Sequence, residues 1–400
     1  MASRGEINKK EIQPVLSKKW DVIPFVSSIE NIGTFPKVKT SDCFEEGTYP
    51  VVDQSEKDIT GYINNEELLY KGDLPIIIFG DHTRNIKYVD FPFAAGADGT
   101  KILHTTSILD SKFFYYYLKS LQIPNLGYSR HYSILKLLDV PVPSLNEQKQ
   151  IAEKLDKLFD QIETIKEASN KIPELLKNFR QQVLTYAVTG KLTNSDFAHW
   201  EKSTIGAIGK VKGGKRLPKG EELVNYNTGY PYIRARDLKE GTVLKQNIMY
   251  LLPETQEKIK NYIVKTNDVY ITIVGAKIGD AGIIPESMNN ANLTENAAKI
   301  TDLSEKIMPQ YLSLWLQAPL CQSEIQQSIK SAAQGKLALT RINSLSVCFP
   351  PIESQKEIID KVEYLLGELK IIESKFYQLQ NILEKLPQAL LCKAFKGELL

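Results

Sequence analysis

Lysines and arginines gathered in glycine-rich stretches carry the chemistry most legible in this sequence. Between Gly209 and Lys219 the run GKVKGGKRLPK presents Lys210, Lys212, Lys215, Arg216 and Lys219 among flexible glycines. Arg234 and Arg236 follow, placed by alternation on one strand face, then Lys277 in a glycine turn, and Gln334, Lys336 and Arg341. An earlier stretch offers Arg84, Asn85, Lys87, Lys101 and the run Tyr128-Ser129-Arg130-His131. Arginine forks onto a guanine edge and lysine neutralises phosphate, so these are the side chains a major-groove reader needs. Taken singly, each reads as an ordinary solvated charge. The cluster occurs twice, and that favours nucleic acid.

Residues for catalysis are missing from the places where they would have to stand. Gly275-Ala-Lys-Ile-Gly279-Asp-Ala-Gly282 follows an apolar run, but it has neither the dinucleotide spacing nor a Walker ending, and neither Gly335-Lys336 nor Gly190-Lys191 is a P-loop. No amino-methyltransferase tetrapeptide of the NPPY or DPPY type occurs, and Phe349-Pro350-Pro351 belongs to the start of a helix. His82, His104, His131 and His199 share no metal-ligand spacing, and there is no GxSxG elbow. Gly80-Asp81-His82 could seat a catalytic acid, though it reads better as a polar loop pair. Cys43, Cys321, Cys348 and Cys392 are too scattered for a metal knuckle and fit buried small residues in a reducing cytoplasm. No run approaches the roughly 18 apolar residues of a membrane helix, and Met1 to Lys10 lacks the apolar core of a signal, so neither anchor nor secretion is expected.

The elements that must position the basic clusters are set by an internal repeat. Residues 143–192 align without a gap onto 350–399, an offset of 207 with 13 of 50 positions identical, among them Gln148/Gln355, Ile151/Ile358, Ala187/Ala394 and Gly190/Gly397. In both copies apolar residues recur at alternating spacings of four and three, the pattern of a helix packed along a helix. The first seam begins Ile151, Leu155, Leu158, Ile162, Ile165 and the second Ile358, Val362, Leu365, Leu369, Ile372. Each starts after a proline and stops at a glycine. Forty such residues make a rod of about 60 Å. Pro173 has no counterpart proline in the second copy, where Gln380 stands, and predicts a bend in the first rod. The seams are expected to pair with each other as an intramolecular antiparallel coiled coil; packing of each on a different protein is the alternative.

The segments between the rods also echo one another. Each has a tryptophan near its start (Trp20, Trp200), a Tyr-Pro strand (Tyr49-Pro50, Tyr230-Pro231), an apolar strand running to Gly80 or Gly275, and a late aromatic helix at 113–118 or 311–316. Four hundred residues, 42% of them hydrophobic and 24% charged, suit a folded protein of two or more cores. The net charge of +2 is uneven: residues 199–346 carry +5 and residues 1–142 carry −2. Short strands rich in Val, Ile and Tyr, punctuated by Gly and Pro, predict mixed α/β globules.

With these pieces in place the whole chain resembles the DNA-specificity subunits of type I restriction-modification systems. The likeness rests on PVPSLNEQKQIAEKL at 141–155, FPPIESQKEIIDKV at 349–362, AVTGKL and AFKGEL at the rod ends, GAKIGDAGI at 275–283 and FGDHTRNIKYVDFPFAAGADGTKIL at 79–103. Ser354, where a glutamate is expected before Gln355, and Pro173 are the departures. The resemblance implies two similar target-recognition domains, 1–142 and 199–346, with long conserved helices at 143–192 and 347–400 and a linker at 193–198. It implies a non-catalytic protein that reads a split site on double-stranded DNA, one half per domain, with the helical pair as a ruler. Two modification subunits similar to adenine-N6 methyltransferases and the restriction/translocase subunits would be its partners. S-adenosylmethionine, ATP and Mg2+ would sit on those partners, with no cofactor in this chain, no membrane and a cytoplasmic location. The first DNA surface would comprise Arg84, Lys87, Lys101, Arg130 and His131; the second, Lys215, Arg216, Arg234, Arg236, Lys277, Lys336 and Arg341. A nuclease or methyltransferase acting alone would need a motif that is missing. A non-catalytic coiled-coil scaffold, or a specificity subunit without active partners, remains the alternative.

Overall fold

The computed structural model describes residues 9–14, 20–97, 99–127, 130–193, 195–330 and 335–400. Tyr128, Ser129 and Gln334, named above, lie outside them. The chain divides into two compact units: residues 1–170 with 377–400, and residues 171–376.

In the first unit β1 (Asp21–Pro24) pairs antiparallel with the strand just before the first long helix, Asp139–Val142, in the register Asp21↔Val142. Between them β2 (Tyr49–Val52) runs parallel to Ala94–Gly96, while β3 (Ile76–Gly80) is the centre of a three-stranded antiparallel sheet with β4 (Ile86–Val89) and β5 (Thr100–Leu103). Every residue of β3 is buried, which explains its unbroken Ile-Ile-Ile-Phe run. The aromatic helix Ser111–Ser120, capped by the Asp110 carboxylate on the Phe113 N–H, covers that sheet with Phe113, Phe114 and Tyr117.

The second unit repeats this plan. β6 (Glu201–Thr204) pairs antiparallel with Ser346–Phe349 in the register Glu201↔Phe349. Pro231–Ile233 runs parallel to Asn292–Leu293. β7 (Val269–Thr272) lies between Ala281–Ile283 and Ala297–Thr301, with Lys210–Gly213 added at the edge. The aromatic helix is Pro309–Gln317, with Tyr311 and Trp315 packed in the core.

Each unit also holds a pair of long helical segments. In the first unit Ile151, Ala152 and Leu155, at the start of the helix Leu145–Ser169, pack with Leu391, Ala394 and Phe395, near the end of the helix Ile352–Lys396. The Lys154 ammonium donates to the Leu399 carbonyl there. In the second unit Val183, Leu184, Ala187 and Val188 of the helix Ile172–Val188 pack with Ile358, Ile359 and Val362 at the start of the C-terminal helix, and Lys361 donates to the Leu192 carbonyl. Start against end in one unit and end against start in the other is the antiparallel sense. The first rod breaks at Asn170–Lys171, two residues before Pro173, whereas the second runs unbroken for 45 residues with Pro387 inside it. Gly190 and Gly397 take φ of +76° and +77°, the left-handed end that glycine adopts without strain.

The seam is narrower than its sequence pattern. Ile151, Leu155, Ile162, Ile358, Val362 and Leu369 are buried, Leu158 and Leu365 are half-buried, and Ile165 and Ile372 are 44% and 51% exposed. Away from the rod ends burial persists only at every seventh residue: Leu155, Ile162 and Ser169 in one copy, Val362, Leu369, Phe376 and Leu383 in the other. A two-helix contact shields one line of side chains; the other line needs a third layer to be covered.

Candidate nucleic-acid interface

In the second unit the glycine-rich run is tightly placed, in contrast to the flexible loop its glycines suggest. The Gly214 N–H donates to the Ala297 carbonyl at 3.0 Å and the Lys215 N–H to the Leu293 carbonyl at 2.8 Å. A Cβ on residue 214 would stand 2.0 Å from the Thr294 carbonyl oxygen, so only glycine permits this approach. Arg216 is thereby set beside Glu295, with Nε 2.7 Å from Oε1. The next residue, Asn296, accepts from the Ile273 and Val274 N–H groups, and the Ile273 carbonyl accepts from the Leu337 N–H at 3.0 Å. Three segments, 214–216, 273–279 and 335–341, are therefore tied directly or in sequence to the stretch 293–297. Lys215, Arg216, Lys277, Lys336 and Arg341 ride on these segments, all exposed.

Two predicted residues of this unit are placed otherwise. Arg234 and Arg236 do not share a strand face, because the strand ends at Ile233 and Asp237 closes a one-turn helix by accepting the Arg234 N–H at 2.9 Å. The Arg234 guanidinium is consumed internally: Nε and Nη2 each lie 2.8 Å from the buried Asp237 carboxylate, and Nη2 also donates to the Asn247 carbonyl. Arg236 is exposed on that turn.

A groove in the same unit adds cations that sequence reasoning missed. Lys177 and Arg180 from the helix Ile172–Val188 line it with Lys239, Lys277 and Asp280. Burial pushes the Asp280 carboxyl above its ordinary range, opposed by Lys277, Arg180 and Lys239. Lys177 and Arg180 stand three residues apart, on one helix face, but treating rods and globules as separate concealed their joining of the globule's surface.

In the first unit Asp81 and Gln54 organise the corresponding loops. The Asp81 N–H donates to Gly99, its carbonyl accepts from the His131 N–H, and its Oδ1 accepts from the Tyr132 N–H, each at 2.8 Å. Gln54 accepts from the His82 N–H through Oε1, and from the Thr83 hydroxyl and the Asn85 amide through its carbonyl. Arg130 is exposed here and Lys101 is half-buried, with its ammonium 4.0 Å from Asp81.

The other three predicted residues of this unit face inward. Lys87 is 8% exposed; its ammonium donates to the Lys57 carbonyl and lies 3.9 Å from Asp53. Burial holds that ammonium below its usual pKa, against the pull of Asp53 and Asp58. His131 is fully buried, with Nδ1 2.9 Å from the Asp81 carbonyl and Nε2 accepting from the Leu126 N–H. Arg84, at φ +65°, ties its turn to the Ile123 carbonyl through Nη1. Basic character in a polar run does not reveal which lysines the sheet swallows.

Among the described residues no group of three or more His, Cys, Asp and Glu could hold a metal ion, and no helix is long and apolar enough to cross a membrane.

Known proteins share this duplicated plan. The family model described as the type I restriction modification DNA specificity domain matches residues 19–174 and 198–381. The EcoBI type I restriction enzyme specificity subunit of Escherichia coli is 31% identical over 373 residues, covering 85% of this chain and 76% of that protein. The MjaVIII specificity subunit of Methanocaldococcus jannaschii is 21% identical and covers 96% of this chain and 95% of its own. Among solved structures, the HsdS subunit from Thermoanaerobacter tengcongensis superposes with a TM-score of 0.64 at 14% identity, covering 96% of this chain and 98% of that one. A chain from a study of type I R-M complex assembly and conformational transition reaches 0.69, also at 14%, over 96% and 99%. At that identity the likeness is one of fold.

Proposed function

Because this chain belongs to the type I restriction-modification DNA-specificity family, we propose that it reads a split DNA sequence and lends that reading to catalytic partners. Each recognition domain, 1–142 and 199–346, takes one half-site, and the helical pair fixes the unspecified spacer. The observation that carries the reading is the duplication itself: the same strand pairings, the same aromatic helix and the same glutamine bridge to a long helix occur in both units. Two equivalent readers in one chain would suit the two halves of a split site.

On this reading Lys101 and Arg130 face DNA in the first domain, and Lys215, Arg216, Arg236, Lys277, Lys336 and Arg341 in the second. Lys87, His131, Arg84 and Arg234 serve the fold instead. Two adenine-N6 methyltransferase subunits using S-adenosylmethionine, and restriction subunits using ATP and Mg2+, supply the chemistry. Since methylation requires the adenine to leave the stack, the assembled complex distorts the duplex. Co-expression with a type I methyltransferase subunit from the same organism, followed by single-molecule mapping of methylated adenines in host DNA, tests this. A single split motif is the expected result; a stable, active complex that methylates no motif overturns it.

A further inference from the structure

Two arginines of the second unit spend their donors differently. Arg234 gives Nε and Nη2 to one buried carboxylate and Nη2 again to a carbonyl, and its side chain is 18% exposed. Arg216 gives only Nε, to Glu295 Oε1 at 2.7 Å, and its side chain is 80% exposed. Its terminal Nη1 and Nη2 carry four N–H groups and make no hydrogen bond to the described residues, so the fork points outward with its stem held.

The holder is itself held. The Thr294 hydroxyl donates to Glu295 Oε2 at 3.1 Å, and the backbone on both sides is pinned by the Gly214 and Lys215 hydrogen bonds to Ala297 and Leu293. The Tyr232 hydroxyl donates to the Lys215 carbonyl at 2.9 Å, fixing the residue before Arg216. The charge pairing is mutual: Arg216 and hydrogen bonds hold the Glu295 carboxyl below its ordinary range despite its partial burial, so it stays an acceptor at neutral pH.

Resting on the specificity reading above, we propose that Arg216 reads a guanine through the major groove and that Glu295 is its positioning residue. A guanidinium presents two parallel N–H groups to guanine N7 and O6, and no other base edge in that groove offers two acceptors side by side. A carboxylate on Nε removes the rotation that would otherwise let the fork slide to a phosphate, so the pair discriminates as well as attracts. Gly214 belongs to the device, because any side chain there would push residues 214–216 away from Thr294.

The test uses the assembled complex of this chain with its methyltransferase subunits. Its methylated motif is mapped for the unaltered chain, R216A, R216K, E295A and E295Q, and its binding is measured on duplexes carrying 7-deazaguanine, which lacks N7, at each guanine of the second half-site. R216A and R216K are expected to relax one guanine position by roughly tenfold or more while leaving all others intact. 7-Deazaguanine at that position weakens the unaltered complex but not R216A. E295A relaxes the same position by a smaller factor, and E295Q, whose amide oxygen still accepts from Nε, retains it. An unchanged motif in R216A, or weakening spread evenly over all sequences as a phosphate contact would give, overturns the inference while leaving the specificity reading standing. An unaltered complex that recognises no split motif removes both.

Discussion

Gln148 and Gln355, 207 residues apart and both fully buried, make the same three hydrogen bonds. Gln148 Oε1 accepts from the N–H of Asp110, the residue before the aromatic helix, and Nε2 donates to the Ile108 and Pro143 carbonyls. Gln355 Oε1 accepts from the N–H of Met308, again the residue before the aromatic helix, and Nε2 donates to the Lys306 and Pro350 carbonyls. Each glutamine thus fastens the first turn of a long helix to a recognition domain. Gln148→Ala and Gln355→Ala each strand one donor and two acceptors, at about 1 to 3 kcal/mol per buried group left without a partner. Both variants are expected to lower the denaturation midpoint by comparable amounts; a large loss in one and none in the other would separate the two copies.

The arginine that the fold consumes should behave oppositely to the one it presents. Asp237 is 4% exposed, and Arg234→Ala leaves its charge unpaired, a loss of about 3 kcal/mol. The expected variant is less stable in urea, yet its complex methylates the unaltered motif. A changed motif at normal stability would return Arg234 to the DNA surface.

These cases show which features the sequence exposes. The rods and their junctions were legible because the gapless offset puts Gln148 on Gln355 and Gly190 on Gly397, and because a helical seam imposes a local period. Ile165 and Ile372 misled, since the pattern records which residues could be covered while burial depends on how many layers arrive. The sites were less legible still. Arg234 and Arg216 sit in equally polar runs, and what separates them is Asp237 three residues away in one case and Glu295 seventy-nine away in the other. Lys87 looks like its neighbours until alternation along Ile86–Val89 turns it inward against Asp53.

Cys321 gives an alkaline signature. Burial, with the nearby Glu324 adding to it, pushes its thiol up to about 12 from an ordinary 9.0. A raised folded value means that its contribution is whole below pH 9.0 and is lost as pH climbs from there toward 12. Stability against denaturant is expected to decline through that window, and Cys321→Ala to decline less steeply. Alkylation of the native protein at pH 8 should spare Cys321, and rapid labelling would contradict its burial.

The ruler admits the most quantitative test. Burial repeats at every seventh residue along the middle of both rods, so removing one heptad from each keeps that period one repeat shorter. Seven residues span about 10.5 Å of helix, close to the length of three base pairs at 3.4 Å each. The shortened chain is expected to direct methylation to the same two half-sites with a spacer about three base pairs shorter. Deletion of four residues from each rod instead rotates the seam off register and should cost stability. An unchanged spacer in a stable heptad-deleted complex would mean that the methyltransferase subunits, rather than the rods, set the distance.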